Sequence, residues 1–239
     1  MKNQEFPFPM KKSEALIGWI YLPVHIFALV ILLTYLFYYL FPELGLAVDD
    51  VYQNVYYYGF SFLFLLIFLN RYLCSTYSDL CDNILNTVFA VLAGFFLNYF
   101  LTLAVQSALS LVLNDLTNPN SALVDEQLVT NTGIMVAVTV LLAPVVEETL
   151  FRGVVFGTLR KKSRLAAYLV SSLIFSFYHL WQYFLIGFDW TLLLYTLQYV
   201  PASLVFCWCY ERGRNLWAPI FLHMFINLMS VIVTIGLAS

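Results

Sequence analysis

Long apolar stretches recur along this sequence and limit its fold more than any other feature. We place seven of them at residues 15–41, 55–73, 84–113, 132–159, 165–186, 191–210 and 216–237. About 20 apolar residues in a helix cross the hydrocarbon core of a bilayer. The chain is only 10% charged, whereas soluble domains carry about 25% charged residues. The sequence therefore predicts an all-α, polytopic bundle of about seven transmembrane helices.

The basic residues predict the orientation of this bundle. They lie before the first stretch and after the second, fourth and sixth, as Lys2, Lys11, Lys12, Arg71, Arg160, Lys161, Lys162, Arg164, Arg212 and Arg214. The other junctions carry acidic residues and neither lysine nor arginine. Because segments rich in Lys and Arg stay in the cytoplasm, we predict a cytoplasmic N-terminus and an external C-terminus. Of the eleven basic residues, Arg152 alone falls outside the pattern.

The segments outside the long stretches suggest little additional structure. The first stretch is about twice the length of a signal-peptide core and lacks a small-residue cleavage site, so we expect it to remain as a span. Residues 114–131 are expected to form a loop with room for a short surface helix. Four scattered cysteines, with Cys74 and Cys81 expected in a short loop, are interpreted as ordinary thiols.

The segment "LLAPVVEETLFRGVVFG", residues 141–157, places three ionisable residues inside the fourth apolar stretch. A charge without a partner in hydrocarbon costs several kcal/mol on most scales, which makes this segment a functional lead. Glu148 and Arg152 are four residues apart and can form an ion pair, which we interpret as structural. Glu147 points about 100° away from Glu148 on a helix and is free to act on something else.

Polar residues on two later stretches reach a similar depth. At about 1.5 Å per residue, Glu147 lies about 20 Å from Arg160, and His179 about 22 Å from Arg164. His223 and Asn227, on the last stretch, lie about 13 and 20 Å from the basic turn before it. We predict that these four side chains share a water-holding chamber, in which Glu147 acts as a general base. A cleft opening toward the basic side or sideways to lipid is expected.

Three motifs in this region match a known family. Glu147-Glu148-x-x-x-Arg152 followed by Gly153, then Phe175-x-x-x-His179, then His223-x-x-x-Asn227 together resemble the CAAX protease and bacteriocin-processing (CPBP, or Abi) family of intramembrane glutamic endopeptidases. The resemblance covers roughly residues 130–230. It implies a catalytic core of four transmembrane helices at residues 131–239, behind a variable region of three transmembrane helices at residues 1–130.

The resemblance also implies roles for the motif residues. Glu147 would be the general base, assisted by His179, while His223 and Asn227 would stabilise the oxyanion. Glu148, Arg152 and Phe175 would support the site. The reaction would need no metal and no cofactor and would form no acyl-enzyme. The partners would be a membrane-associated peptide or protein substrate and lipid, not nucleic acid, in a multi-pass protein of a cell membrane, best suited to a prokaryotic plasma membrane.

Two alternatives remain open from the residues. His179, His223 and Glu147 are suitable ligand types for a catalytic zinc site. The same bundle could also serve as a non-catalytic bacteriocin-immunity or regulatory protein that only binds its partner. His25, on the first stretch, has no acidic residue near it in sequence and is interpreted as a packing residue. Substrate identity, cleavage site and oligomeric state are left open.

Overall fold

The computed structural model describes residues 9–46 and 50–238, and these residues form an all-helical bundle. We number its ten helices α1 (Lys12–Glu43), α2 (Asp50–Phe68), α3 (Asn70–Asp82), α4 (Ile84–Leu109), α5 (Pro119–Thr130), α6 (Thr132–Arg160), α7 (Arg164–Tyr178), α8 (Trp181–Ile186), α9 (Trp190–Gly213) and α10 (Trp217–Ala238). Among them, α1, α2, α4, α6, α9 and α10 are long and apolar enough to cross a membrane, and α7 is a shorter apolar helix. The predicted all-α membrane bundle of about seven spans is confirmed in this form.

Two of the predicted stretches are each divided into two helices. The stretch 55–73 breaks at Leu69, and the residues after it begin α3, whose buried face carries Tyr72, Leu73 and Thr76. Cys74 and Cys81 therefore lie on a helix and not in the loop that we expected. The stretch 165–186 breaks after Tyr178, so His179 follows the last residue of α7.

One end of the bundle gathers the basic residues. Glu14 of α1 pairs with Arg71 of α3, and Trp19 of α1 donates to Thr158 near the C-terminal end of α6 at 3.1 Å. Arg160 and Arg164, on either side of the α6–α7 turn, both pair with one acidic residue near the end of α9, Glu211. We call this the basic end. It holds the described basic residues other than Arg152, as the sequence predicted.

The sequence has neither lysine nor arginine at 13–70, 72–151, 153–159, 165–211 or 215–239. The opposite end therefore contains neither residue type in the part of the chain that the structure describes. We call it the cation-free end. Helix α5 lies there, with the Gln127 amide accepting from Asn54 of α2 at 2.8 Å and Asp125 accepting from Thr234 of α10 at 2.8 Å. The junctions between successive spans thus alternate between the basic end and the cation-free end, as predicted. The assignment of the basic end to the cytoplasm stays a prediction, and Lys2 and Asp49 lie outside the described residues.

The larger of two hydrophobic clusters among the described residues joins the two regions that the resemblance separates. It includes Tyr21 of α1, Tyr72 of α3, Phe156 of α6 and Leu222 of α10. Helix α3 packs directly on the backbone of α6, since a Cβ atom added at Gly153 would lie 2.9 Å from Cε1 of Tyr72. The division into a variable region and a catalytic core stays a prediction, but the two regions pack as one body.

Candidate active site

Helix α6 departs from regular α-helical geometry in two segments, one before Glu147 and one that begins at Glu148. Residues 137–142 and 148–156 are π-helical, and the Ala143 N–H bonds to the Val138 carbonyl five residues earlier. In the same register the Thr139 carbonyl would need an N–H from Pro144, which has none. The Asn227 side chain of α10 donates to that carbonyl at 2.8 Å. Asn227 therefore completes the backbone hydrogen bonding of α6 beside the site.

Glu148 holds two cationic or potentially cationic groups. Its Oε1 accepts from Nη1 of Arg152 at 3.0 Å and lies 2.9 Å from Nδ1 of His223. Neither Glu148 nor Arg152 has any exposed surface. Because a carboxylate oxygen accepts, Nδ1 of His223 carries the proton, and the ring is fixed with Nε2 pointing away from Glu148. The ion pair expected from the spacing of Glu148 and Arg152 is present.

Arg152 connects α6 to two neighbouring helices. Its Nη2 donates to Oγ of Ser203 on α9 at 2.8 Å. Its guanidinium carbon lies 4.2 Å from the ring centroid of Phe175 on α7 and 4.9 Å from that of Phe206 on α9. A guanidinium over an aromatic face is attracted by the electrons of the ring. Phe175 thus contacts Arg152 through its ring, while Nε of Arg152 has no hydrogen-bond partner among the described residues.

Glu147 faces away from Arg152, toward α2 and α10. Its Oε1 accepts from the Tyr58 hydroxyl at 2.8 Å. Its Oε2 lies 3.9 Å from Nε2 of His223 and has no hydrogen-bond partner among the described residues. Only 3% of Glu147 is exposed. The carboxylate therefore points into the bundle and presents one free oxygen next to an imidazole.

His179 owes its position to the end of α7. Its Nδ1 lies 2.9 Å from the Phe175 carbonyl, one of the last carbonyls of that helix. A carbonyl oxygen accepts, so the proton is on Nδ1 and Nε2 is left as an acceptor. The ring stacks on Tyr199 at a centroid distance of 4.2 Å and an angle of 18°. The position expected to assist Glu147 therefore carries an oriented nitrogen that can accept a hydrogen bond.

The four predicted catalytic side chains line one cavity of about 520 Å³, namely Glu147, His179, His223 and Asn227. From this cluster the lining continues to α5 and to exposed residues at the cation-free end, among them Tyr38, Leu123 and Gln182. Opening sideways to lipid stays a prediction, whereas the expectation that the cleft opens toward the basic side is wrong, because the lining lies toward the opposite end. It was based on the position of the basic residues alone, and these pair with acidic residues at the opposite end of the bundle.

Sequence reasoning missed the tyrosines behind Glu147. The Tyr58 hydroxyl, besides donating to Glu147, lies 3.1 Å from the Tyr178 hydroxyl. Tyr178 in turn accepts from Tyr57 at 3.2 Å, and Tyr57 lies 3.0 Å from Nε2 of His25. His25 has no carboxylate contact among the described residues, in agreement with a packing role, yet this series of hydrogen bonds links it to Glu147. The only signal was the run Tyr56-Tyr57-Tyr58 inside an apolar stretch.

The described part of the chain holds no group of three His, Cys, Asp or Glu side chains arranged as metal ligands. Glu147, His179 and His223, the ligands of the zinc alternative, line one cavity without forming such a group. The four cysteines are free thiols, with Cys207 and Cys209 buried and Cys74 and Cys81 exposed.

Fold and site together define a polytopic membrane protein with a buried cluster of glutamate, histidine and arginine. Residues 130–229 match the family model described as "Type II CAAX prenyl endopeptidase Rce1-like". This match confirms the resemblance predicted from the motifs. The matched region contains all four cavity residues of the motifs, all of α6 to α9 and the first part of α10.

Two curated relatives each match part of the chain. "Putative membrane peptidase YdiL" of Bacillus subtilis (strain 168) is 32% identical over 101 residues, which are 42% of this chain and 37% of the relative. "UPF0177 protein YxdF" of Lactococcus lactis subsp. lactis (strain IL1403) is 32% identical over 88 residues, 37% of this chain and 43% of the relative. The chain thus spans less than half the length of these relatives. No solved structure matches.

Proposed function

We propose that the protein is an intramembrane endopeptidase that hydrolyses a peptide bond of a membrane-associated substrate with a water molecule activated by Glu147. One observation carries the proposal. Oε2 of Glu147 and Nε2 of His223 lie 3.9 Å apart at the wall of a cavity that His179 and Asn227 also line. A water molecule about 2.8 Å from each of the two atoms would be held by both. The family match and the printed name of YdiL support a peptidase.

In the proposed reaction Glu147 takes a proton from the water while the water oxygen attacks the carbonyl carbon of the substrate. The neutral Nε2 of His179 assists as a hydrogen-bond acceptor. The carbon–nitrogen bond of the tetrahedral intermediate then breaks, and the proton passes from Glu147 to the leaving amine nitrogen. One water is consumed and two chain ends form, with no metal ion and no acyl-enzyme.

The negative charge that develops on the substrate oxygen needs donors. Asn227 uses one amide hydrogen for the Thr139 carbonyl, and its amide group has a second hydrogen. Donation by His223 would require a hydrogen on Nε2 in addition to the one on Nδ1. Both donors act in a buried site, where such hydrogen bonds stabilise a transition state most.

Proteomics of membranes tests the proposal directly. Membranes from cells with the wild-type protein are compared with membranes carrying Glu147→Ala, and Glu43→Ala, an exposed carboxylate outside the cavity lining, serves as the matched control. We expect uncleaved peptides to accumulate only with Glu147→Ala, and the purified wild-type protein to cleave them in the presence of a chelator.

Other outcomes identify the alternatives. Activity lost with the chelator and restored by zinc would establish the zinc hydrolase. A cellular phenotype that Glu147→Gln preserves, without any accumulating peptide, would establish a non-catalytic binding protein.

A further inference from the structure

An unbroken series of side-chain hydrogen bonds leads from the proposed base into α1. It runs from Glu147 through Tyr58, Tyr178, Tyr57, His25 and Ser61 to Tyr21, with the bonded atoms 2.8–3.2 Å apart. We call it the tyrosine–histidine chain. The three tyrosines nearest Glu147 line the cavity, whereas His25 and Ser61 have no exposed surface. A buried imidazole that the proposed reaction does not use is thus joined to the base.

The ionised carboxylate of Glu147 sets the direction of the bonds nearest to it. A carboxylate only accepts, so Tyr58 gives its single hydroxyl hydrogen to Oε1 of Glu147. The Tyr178 hydroxyl, 3.1 Å from that of Tyr58, then donates to Tyr58. No hydrogen of Tyr178 is left for Tyr57. The Tyr57 hydroxyl therefore donates, either to Tyr178 at 3.2 Å or to the backbone carbonyl of His25 at 3.0 Å.

The tautomer of His25 follows from this direction. With either acceptor, the single hydrogen of Tyr57 is not available to Nε2 of His25, which lies 3.0 Å from the Tyr57 oxygen. Nε2 therefore carries the proton and donates to Tyr57. Nδ1 is left as an acceptor for the Ser61 hydroxyl at 2.9 Å, and Ser61 accepts from Tyr21 at 2.9 Å. The other two histidines carry their proton on Nδ1.

Packing alone does not account for this use of both ring nitrogens. The His25 ring stacks on Tyr57 at a centroid distance of 4.7 Å and on Tyr178 at 5.6 Å, and an apolar ring could make the same contacts. Buried polar atoms need hydrogen-bond partners, and both nitrogens of His25 have one. The imidazole therefore connects a donor on one side to an acceptor on the other.

We propose that His25 is a positioning residue for Glu147 and acts through the tyrosine–histidine chain. Its Nε2 donates to the Tyr57 oxygen and fixes the Tyr57 hydroxyl as a donor. Hydrogen bonds that point the same way polarise one another, so the bond from Tyr58 to Oε1 of Glu147 is strengthened and Oε2 stays directed toward His223. The inference rests on the proposed function, in which Glu147 is the base, and adds a residue to it from outside the family match at 130–229.

Nitrogen-15 NMR of the full chain in lipid bilayers tests the direction of the bonds without turnover. The sequence has three histidines, and the His25→Gln variant identifies the signals of His25. We expect the proton on Nε2 in His25 and on Nδ1 in the other two, because the partner of each nitrogen sets the tautomer. A proton on Nδ1 of His25 in the wild-type protein would overturn the proposal.

A substitution at the other end of the chain tests whether His25 and Glu147 are coupled. Tyr58→Phe keeps the ring, whose centroid lies 6.5 Å from that of His25, and removes the hydroxyl bonded to Glu147. The Nε2 signal of His25 should shift, because the carboxylate no longer directs the intervening bonds. Tyr56→Phe, on a residue that is 58% exposed, should not shift it. Identical Nε2 signals in the wild-type protein and Tyr58→Phe would overturn the coupling.

Two amide substitutions test the effect on the reaction. The amide nitrogen of His25→Gln can take the place of Nε2 and donate to Tyr57, whereas His25→Asn is one bond shorter and reaches only toward Ser61. We expect kcat to fall about fivefold in His25→Asn with KM unchanged, as for the loss of one neutral hydrogen bond, and glutamine to restore it to within about twofold of wild type. The substrate is a synthetic copy of a peptide that accumulates in the Glu147→Ala membranes.

The outcomes separate this inference from the peptidase proposal. Wild-type kcat in His25→Asn, or an equal loss in both variants when thermal unfolding shows both to be folded, would overturn the positioning role and leave the peptidase standing. A wild-type protein that cleaves no peptide but carries the His25 proton on Nε2 would refute the peptidase and leave the direction of the hydrogen bonds established. If His25→Asn does not fold, the two NMR measurements decide.

Discussion

The two ends of the bundle are built from different interactions. At the basic end Glu211 accepts from Arg160, Arg164 and Tyr168, so that α6, α7 and α9 are joined by charged hydrogen bonds. At the cation-free end the contacts are mostly neutral, as between Asn118 and Gln198 at 2.6 Å. Charged pairs close the first end, whereas amides and hydroxyls frame an opening at the second.

This difference separates two tasks of a membrane protein. Lysine and arginine fix the orientation of the bundle and interact with anionic headgroups, so they are useful where no substrate enters. Neutral hydrogen bonds contribute only about 0.5–1.5 kcal/mol each, and helix α5 is held by several of them, including Asn54 to Gln127 at 2.8 Å. A helix held in this way can cover a cavity without locking it.

The largest expected difference between the two ends is in the labelling of cysteines by a reagent that does not cross the membrane. Leu123 of α5 is 45% exposed and lines the cavity, while the native Cys74 and Cys81 are exposed at the basic end. In intact cells, a membrane-impermeant maleimide should label the Leu123→Cys variant and leave the wild-type protein unlabelled. After permeabilisation, Cys74 and Cys81 should react in both proteins. Mass spectrometry of tryptic peptides identifies each labelled cysteine.

Labelling of Cys74 and Cys81 in intact cells would contradict the orientation. The cavity would then open to the cytoplasm, because its mouth lies at the opposite end from these cysteines.

The same substitution, glutamate to glutamine, should affect catalysis when it is made in the cavity and stability when it is made at the basic end. Glu147→Gln keeps the size of the side chain and removes the proposed base, so we expect kcat to fall about a thousandfold with the protein still folded. Glu211→Gln weakens the pairs with Arg160 and Arg164 and should leave kcat unchanged while lowering stability by about 1 kcal/mol. Peptide cleavage and thermal unfolding in detergent measure the two effects.

If Glu147→Gln retained more than a tenth of wild-type turnover, Glu147 would not be the base. The buried carboxylate would then have a structural role similar to that of Glu148.

The role of Asn227 can be separated from its contact with the α6 backbone. Asn227→Ala should lower kcat about a hundredfold through loss of an oxyanion donor, and it also leaves the Thr139 carbonyl without its partner. Pro144→Ala restores a backbone N–H in the position that the π-helical register needs. In the double variant we expect stability to recover and the loss of kcat to persist.

Recovery of both quantities in the double variant would show that Asn227 acts only on the helix. Circular dichroism on heating and steady-state kinetics on the same preparations distinguish the two results.

Much of the fold follows from length and charge alone. A run of 20 apolar residues has few alternatives to a spanning helix, and the alternating basic junctions predicted which helix ends lie together. The two breaks were not predictable in the same way. Neither Leu69 nor His179 has a proline or glycine beside it, so neither of the strongest local breakers distinguishes these positions from helix interiors.

The sequence predicted those site residues whose types are rare inside membranes, such as glutamate and histidine. It did not predict the site residues of a common type, the tyrosines. Glutamate and histidine at matched depth are costly unless they meet, so Glu147, His179 and His223 could be placed in one chamber. Tyrosine is ordinary at membrane interfaces and in helix packing. That Tyr58 contacts Glu147 depends on how α2 packs against α6, which the periodicity of neither helix determines.

Tyr58 allows the most detailed test of what orients the Glu147 carboxylate. The same substitution, tyrosine to phenylalanine, can be made at Tyr58 and, two residues earlier, at Tyr56. Tyr58→Phe removes the hydroxyl that donates to Oε1 of Glu147 at 2.8 Å, whereas Tyr56→Phe removes a hydroxyl from a residue that is 58% exposed. With Oε1 released, the carboxylate can rotate and Oε2 no longer faces His223. Because kcat depends on this orientation and substrate binding does not, we expect Tyr58→Phe to lower kcat about tenfold with KM nearly unchanged, and Tyr56→Phe to change neither. Equal kcat in both variants would mean that packing against α2, and not the hydroxyl, orients Glu147.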